Sequence, residues 1–221
     1  MTATALLLLA DGRLPAGGHA HSGGLEAAAA AGRVRDVVTL SAYLQGRLAT
    51  AGLVAAAFAA AATLRSRADA ALGSLSELDA GLDARTPSPA LRRASRAQGR
   101  ALLRTGRAMW TVSAWPGDGP HHPVALGLVS AAAGLAPVDA ALVAAHGTVA
   151  GPASAAVRVL ALDPYPVQAM LARLAAACDE TAARAAAYAA KPEPELPAAS
   201  GPLLDISAED HATWEVRLFA S

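Results

Sequence analysis

About 60 of the 221 residues are alanine, far above ordinary protein composition. Alanine is the strongest helix former, because its side chain has no rotamer freedom to lose. Strand formers are sparse: Ile206 is the one isoleucine, and aromatic residues make up 4%. These facts exclude an all-β fold and argue against a parallel α/β sheet. The length suits one domain able to bury its own core. The reading is therefore an all-α, single-domain helical bundle of about eight to ten helices.

Punctuation residues divide the chain. Residues 3–10 read as a short buried helix, followed by the glycine-rich loop Asp11–Gly18. Ser22 serves as N-cap of a helix that Gly32 ends near Ala31. Asp36 caps the next helix, where Val37, Leu40, Leu44 and Leu48 share one face. Gly52 is expected to break or kink it before 53–67, and 68–84 reads as a helix plus loop. Pro87 or Pro89 opens a helix reaching about Trp110, and residues 111–121 form a loop. Pro123, Pro137, Pro152 and Pro164 read as first-turn prolines, which splits 122–190 into helices near 123–133, 137–149, 152–161 and 164–190. Residues 191–202 carry four prolines and read as a linker without helix. Residues 203–221 form a tail whose Trp214, Leu218 and Phe219 are too apolar to stay free. The organisation is thus a domain over 1–190, the linker, and the tail.

Neither a membrane nor an export reading fits. Met1–Ala10 holds four consecutive leucines but no basic start, and Asp11 and Arg13 follow, so no signal peptide is expected. The apolar run Ala51–Leu64 is too short to span a bilayer, and Val124–Ala150 is interrupted by Gly134, Pro137, Asp139 and His146. Both read as core helices. Cys178 is the one cysteine, so no intrachain disulfide forms, which suits a reducing cytoplasm. Among Ala175, Ala176 and Ala177 it reads as a buried, inert thiol.

Charge is balanced, with 18 basic and 18 acidic residues, unlike a general nucleic-acid binder. Locally it is not balanced. Residues 84–110 contain seven arginines and no acid. Arg92, Arg96, Arg100, Arg104 and Arg107 step along one side of a helix, where like charges repel. Asp79 and Asp83, solvent, or an acidic partner compensates them.

Catalytic motifs are missing. No P-loop lysine follows the glycine-rich loop, so nucleotide chemistry is not expected here. No Gly-x-Ser-x-Gly elbow occurs, and no nucleophile–base–carboxylate set stands out. His19-x-His21 and His121-His122 are the two histidine pairs. A nickel-binding loop built on His19 and His21 is the alternative functional reading, whereas His121-His122, ahead of Pro123, suits loop or capping duty. No cofactor is implied.

Four blocks, in order, carry a resemblance. They are Leu14-Pro15-Ala16-Gly17-Gly18-His19-Ala20-His21-Ser22-Gly23-Gly24-Leu25-Glu26, then Ser95–Leu103, then His122–Gly127 with Ser154–Leu160, and finally Asp205-Ile206 through His211 to Arg217-Leu218-Phe219-Ala220-Ser221. Together they resemble the urease accessory protein F family over nearly the whole chain. His19 and His21 stand where the family usually has Phe and Tyr. Leu162-Asp163-Pro164 intervenes where a Gly-Gln pair often follows Arg158.

The resemblance implies an all-α, non-catalytic, cytoplasmic chaperone component. It implies action with accessory protein D (H in some species), the GTPase G and apo-urease in nickel delivery. It also implies a fold that dimerises and a C-terminal segment that engages the D protein. Candidate partner-binding residues are Gly17, Gly18, His21, Glu26, Arg96, Arg100, Arg158, His211, Arg217 and Phe219. Several have structural alternatives. The glycines suit either a turn or a contact surface, and Glu26 either the helix dipole or a partner. The tail docks either on its own body or on a partner. Arg158, on an apolar helix, calls for a carboxylate partner if buried, and Arg217 suits a partner carboxylate.

Overall fold

Seven consecutive residues, Ala56 to Ala62, have no exposed surface at all. They form the middle of a helix against which several other helices pack. The computed structural model describes residues 3–68 and 72–221. Among them the elements are α1 (Ala3–Ala10), α2 (Leu25–Ala30), α3 (Val37–Arg47), α4 (Leu53–Arg67), α5 (Leu72–Ala84), α6 (Pro89–Met109), α7 (His122–Ala132), α8 (Pro137–Val159), α9 (Pro164–Ala186) and α10 (Pro202–Ala212). No strand occurs among the described residues, so the all-α reading holds.

Small side chains let helix axes approach closely. α4 packs on α7, α8 and α9. A β-carbon on Gly127 of α7 would come within 2.8 Å of Thr63 N and 2.9 Å of Ala59 O. One core gathers around α4 and α7, with Phe58, Leu78, Leu102 and Leu126. A second lies between α2, α3, α8 and α9, and includes Leu25, Leu40, Leu44, Met170 and Phe219.

Several boundaries match the sequence. Asp36 caps α3 through a capping box with Thr39, and Ser88 Oγ accepts the Leu91 N–H at the start of α6. Three expectations need correction. First, Gly52 does not break the helix. α3 passes through a π-turn at Leu48–Gly52 into α4, and Gly52 keeps helical angles (φ −65°, ψ −46°). A β-carbon there would lie 3.1 Å from both Arg47 O and Thr148 Cγ2, so this glycine serves a close approach to α8. Second, Pro152 lies inside α8, which runs unbroken to Val159. Proline removes one hydrogen bond there, but Pro152 is buried and packs on the turn at Gly23. Third, α1 is only half buried. Ala5 and Leu9 face the core, while Leu7 and Leu8 are 66% and 44% exposed.

The tail holds a helix, α10, that composition did not disclose. The 191–202 segment is anchored despite its prolines. Its Glu193–Glu195 stretch forms a 3-10 turn, and Leu196 is buried. Arg85 pairs with the Glu193 carboxylate and donates to Leu196 O at 3.2 Å and Pro197 O at 3.0 Å. Two helices, Val37–Arg67 and Pro137–Val159, are long and apolar enough to cross a membrane by length and composition, and most of each apolar window is buried inside the molecule.

Candidate functional site

The turn ahead of α2 is shaped by glycine. Gly17, Gly23 and Gly24 adopt φ of 77°, 63° and 84°, a region that L side chains rarely enter. Gly18 does not; it opens the 3-10 turn Gly18–Ala20. The N-cap position of α2 is Gly24 rather than Ser22. Ser22 still satisfies one orphan amide, since its Oγ accepts from Glu26 N at 3.3 Å. The same hydroxyl donates to Ser221 O at 2.9 Å.

That bond begins a set of contacts joining the two ends of the chain. Ser22 N donates to Ser221 O and Ala220 N donates to Ala20 O, both at 2.7 Å. His21 Nδ1 lies 2.7 Å from Ser221 Oγ. Glu26 is the hub. Its Oε1 accepts the Leu218 N–H at 2.7 Å, and its Oε2 accepts the Phe219 N–H at 3.1 Å. Oε2 also lies 2.9 Å from His211 Nε2. Burial alone would raise the Glu26 carboxyl, but the bonds from Leu218, His211 and Phe219 outweigh it and hold the group below its ordinary value.

Phe219 is 3% exposed. The guanidinium of Arg158 stacks on its ring at 4.5 Å and donates to His19 O at 3.2 Å. Arg158 is exposed, so it has no need of the carboxylate partner that a buried arginine would require. Arg217 donates to His211 O and Ala212 O, each at 3.4 Å, and so satisfies carbonyls at the end of α10. Thus His21, Glu26, Arg158, His211, Arg217 and Phe219, scattered through the sequence, meet at one place. Of Trp214, Leu218 and Phe219, it is Phe219 that is buried. Trp214 is intermediate, and Leu218 is 73% exposed.

Arg96 and Arg100 lie elsewhere. Arg96 turns inward and bridges Asp79 Oδ2 at 2.8 Å and Asp83 Oδ2 at 2.7 Å. Asp79 Oδ1 accepts the His121 N–H at 2.7 Å. The buried His121 ring spans Ser95 Oγ at Nδ1 (3.0 Å) and Asp83 Oδ1 at Nε2 (2.9 Å). This places a serine, a histidine and an aspartate in series. Yet Ser95 Oγ also accepts the His122 N–H at 3.1 Å, and Asp83 is shared with Arg96. The cluster therefore acts as a clamp that fixes the start of α7 on α5 and α6. Asp79 and Asp83 were legible as compensating acids, and His121 as a residue of the helix start, where it holds the N-cap position of α7; the side-chain bonds of Ser95 and His121 were not. Arg100 is exposed and donates to Asp118 O at 2.8 Å.

A cleft of about 730 Å3 lies beside the joined ends, with His19, His21, His122, His146, Arg47 and Arg158 among its walls. Burial, reinforced by the charge of His21, pushes His122 down to about 4. Burial, then His19, also lowers His21. Among the described residues no group of three or more His, Cys, Asp or Glu side chains is placed to hold a metal ion. Cys178 is buried, which raises its thiol above the ordinary value.

The family model described as UreF matches residues 34–175. The urease accessory protein UreF of Mycolicibacterium vanbaalenii is 50% identical over 218 residues, covering 98% of this chain and 97% of the relative. That of Mycobacterium marinum is 47% identical over 224 residues, covering all of both chains. That of Mycobacterium tuberculosis is 44% identical over 224 residues, again covering all of both. The match is full-length and spans the glycine-rich turn, the α5–α7 clamp and the C-terminal contacts, and the chain belongs to the UreF family of urease accessory proteins.

Proposed function

We propose that this protein serves urease maturation as a non-catalytic scaffold in the cytoplasm. It binds accessory protein D (H in some species) and, with the GTPase G and apo-urease, forms the assembly through which nickel reaches the urease active site. Nickel is cargo in this account, and GTP hydrolysis belongs to the partner.

The observation that carries the reading is the C-terminal segment. It is anchored through Phe219 and Glu26, while Val216 and Leu218 point outward at 88% and 73% exposure. The adjacent Leu218 and Phe219 turn to opposite sides, one exposed and the other buried. The tail can therefore hold to its own body and present an apolar edge to the D protein at once. Leu203 and Ile206 of α10, 54% and 66% exposed, offer further apolar surface on the tail. The exposed Arg100, Arg104 and Arg107 of α6 suit a second, acidic contact. A homodimer of the chain is the expected core of the assembly.

The test is urease activation. In a host lacking the corresponding gene, urease should accumulate without nickel, and this chain should restore both nickel content and activity. Urease fully loaded with nickel in the absence of the chain would overturn the reading.

A further inference from the structure

Arg47 closes α3 where two hollows meet. It lines the 730 Å3 cleft and also a groove of about 420 Å3 between α3 and α10. Val34, Ala42, Tyr43, Leu203 and Leu204 give that groove its apolar walls. Two arginines, Arg33 and Arg47, line it, and no acid does. Arg33 donates to Ser207 Oγ at 2.8 Å. Arg47 is different. Its Nε is buried without a hydrogen-bond partner, and among the described residues no carboxylate stands in ion-pair contact with its guanidinium.

The surroundings hold this guanidinium in place. The Tyr43 ring lies 5.9 Å from it, and the Tyr43 hydroxyl is fixed by donating to Gly23 O at 2.9 Å. A β-carbon on Gly23 would sit 3.1 Å from Arg47 Nη2 and 2.9 Å from Pro152 Cγ, so the turn leaves just enough room for the side chain. The π-turn Leu48–Gly52 follows directly, a distortion frequent at functional sites. Leu203 at the lip of the groove is 54% exposed, as is Ile206 (66%) one helical turn on.

We propose that Arg47 is a carboxylate-binding site, which anchors an acidic residue of an apolar segment that a protein partner lays in the α3–α10 groove. Charge complementarity selects this occupant. The groove offers apolar surface and two cations without a counter-charge, and a guanidinium presents paired donors matched to two carboxylate oxygens.

The experiment observes the Arg47 Nε–H resonance in the full-length protein labelled with 15N-arginine, assigned by its loss in Arg47→Lys. Three probes are titrated: the blocked tripeptide acetyl-Leu-Glu-Leu-amide, its Gln counterpart, and inorganic phosphate. The Glu peptide should move this resonance saturably, at least about tenfold more tightly than the Gln peptide, while the other arginine resonances stay put. Arg47→Lys, which keeps the charge but loses the fork, should bind the Glu peptide more weakly by amide shifts in α3. Equal response to the Glu and Gln peptides would overturn the proposal. Phosphate binding as tightly as the Glu peptide would make the site a general anion hole and overturn it as well. A resonance that moves on dilution without any probe would assign the groove to a second copy of the chain, with the same consequence.

Discussion

Glu26 and Phe219 lie 193 residues apart, and the carboxylate of one accepts the backbone N–H of the other at 3.1 Å. The neighbouring Leu218 N–H reaches the same carboxylate at 2.7 Å. One side chain in the first turn of α2 therefore holds the end of the chain. Glu26→Gln replaces a charged acceptor by an amide and turns one of its atoms into a donor facing a donor. Hydrogen bonds to charged groups contribute about 1.5–3 kcal/mol. Protection of the 218 and 219 amides against hydrogen exchange should fall by roughly ten- to a hundredfold, with the helical circular dichroism unchanged. Unchanged protection would remove Glu26 from its role as anchor.

Acid should weaken the fold. His21, His121, His122 and His146 are all pushed below the ordinary imidazole value by burial. Between pH 6.5, the ordinary value, and about 4 for His122, the unfolded chain binds a proton that the folded chain refuses. Stability therefore falls as pH falls through that window. Glu26 and Asp83 act in the same sense, because their lowered folded values give stability that is present above the ordinary carboxylate range and lost as pH falls through the folded one. Urea midpoints should drop from pH 7.5 to pH 5, and by less in His122→Gln. Equal midpoints at the two pH values would contradict this.

Arg96 and Arg100 stand four residues apart on α6 and should part company on mutation. Arg96 is 25% exposed and bridges two carboxylates, so Arg96→Ala leaves Asp79 without its cation and Asp83 with the longer Arg92 contact at 3.9 Å. A cost of about 3 kcal/mol follows for a largely buried pair, read as a lower urea midpoint. Arg100→Ala should change stability by less than about 0.5 kcal/mol. If the two variants unfold together, the clamp on α7 is not held as described.

Two glycines make a second contrast. Gly127→Ala drives a methyl into α4 beside Thr63 N and Ala59 O, and overpacking of this kind costs about 1–3 kcal/mol. Gly147→Ala, exposed within α8 with nothing near its β-carbon, should stabilise by about 0.5–1 kcal/mol through helix propensity. Denaturation midpoints that move the same way in both would refute the close α4–α7 packing.

What was legible in the sequence was what is local. The Asp36 cap, the Leu40–Leu44–Leu48 face and the proline starts of α6 and α9 each depend on neighbours within a few residues. Pro152 misled because propensity speaks for an isolated helix, whereas tertiary packing carries α8 through the missing bond. α10 escaped notice because its pattern is short and weakly amphipathic. The candidate site was visible as a set of residues through family resemblance, yet its geometry was not. Nothing periodic joins Glu26 to His211 or Ser95 to His121, since such pairs are made by topology. Arg158 shows the same limit, because a ring delivered from the far end of the chain takes the place of the expected carboxylate.

The central claim is that this chain is a scaffold in urease maturation, and the most direct measurement is co-expression with the host's accessory protein D (H in some species), followed by size-exclusion chromatography with light scattering. The account predicts a stoichiometric co-eluting complex, lost when residues 203–221 are deleted while the helical core stays folded. Two separate peaks that persist after the GTPase and apo-urease are added would contradict it.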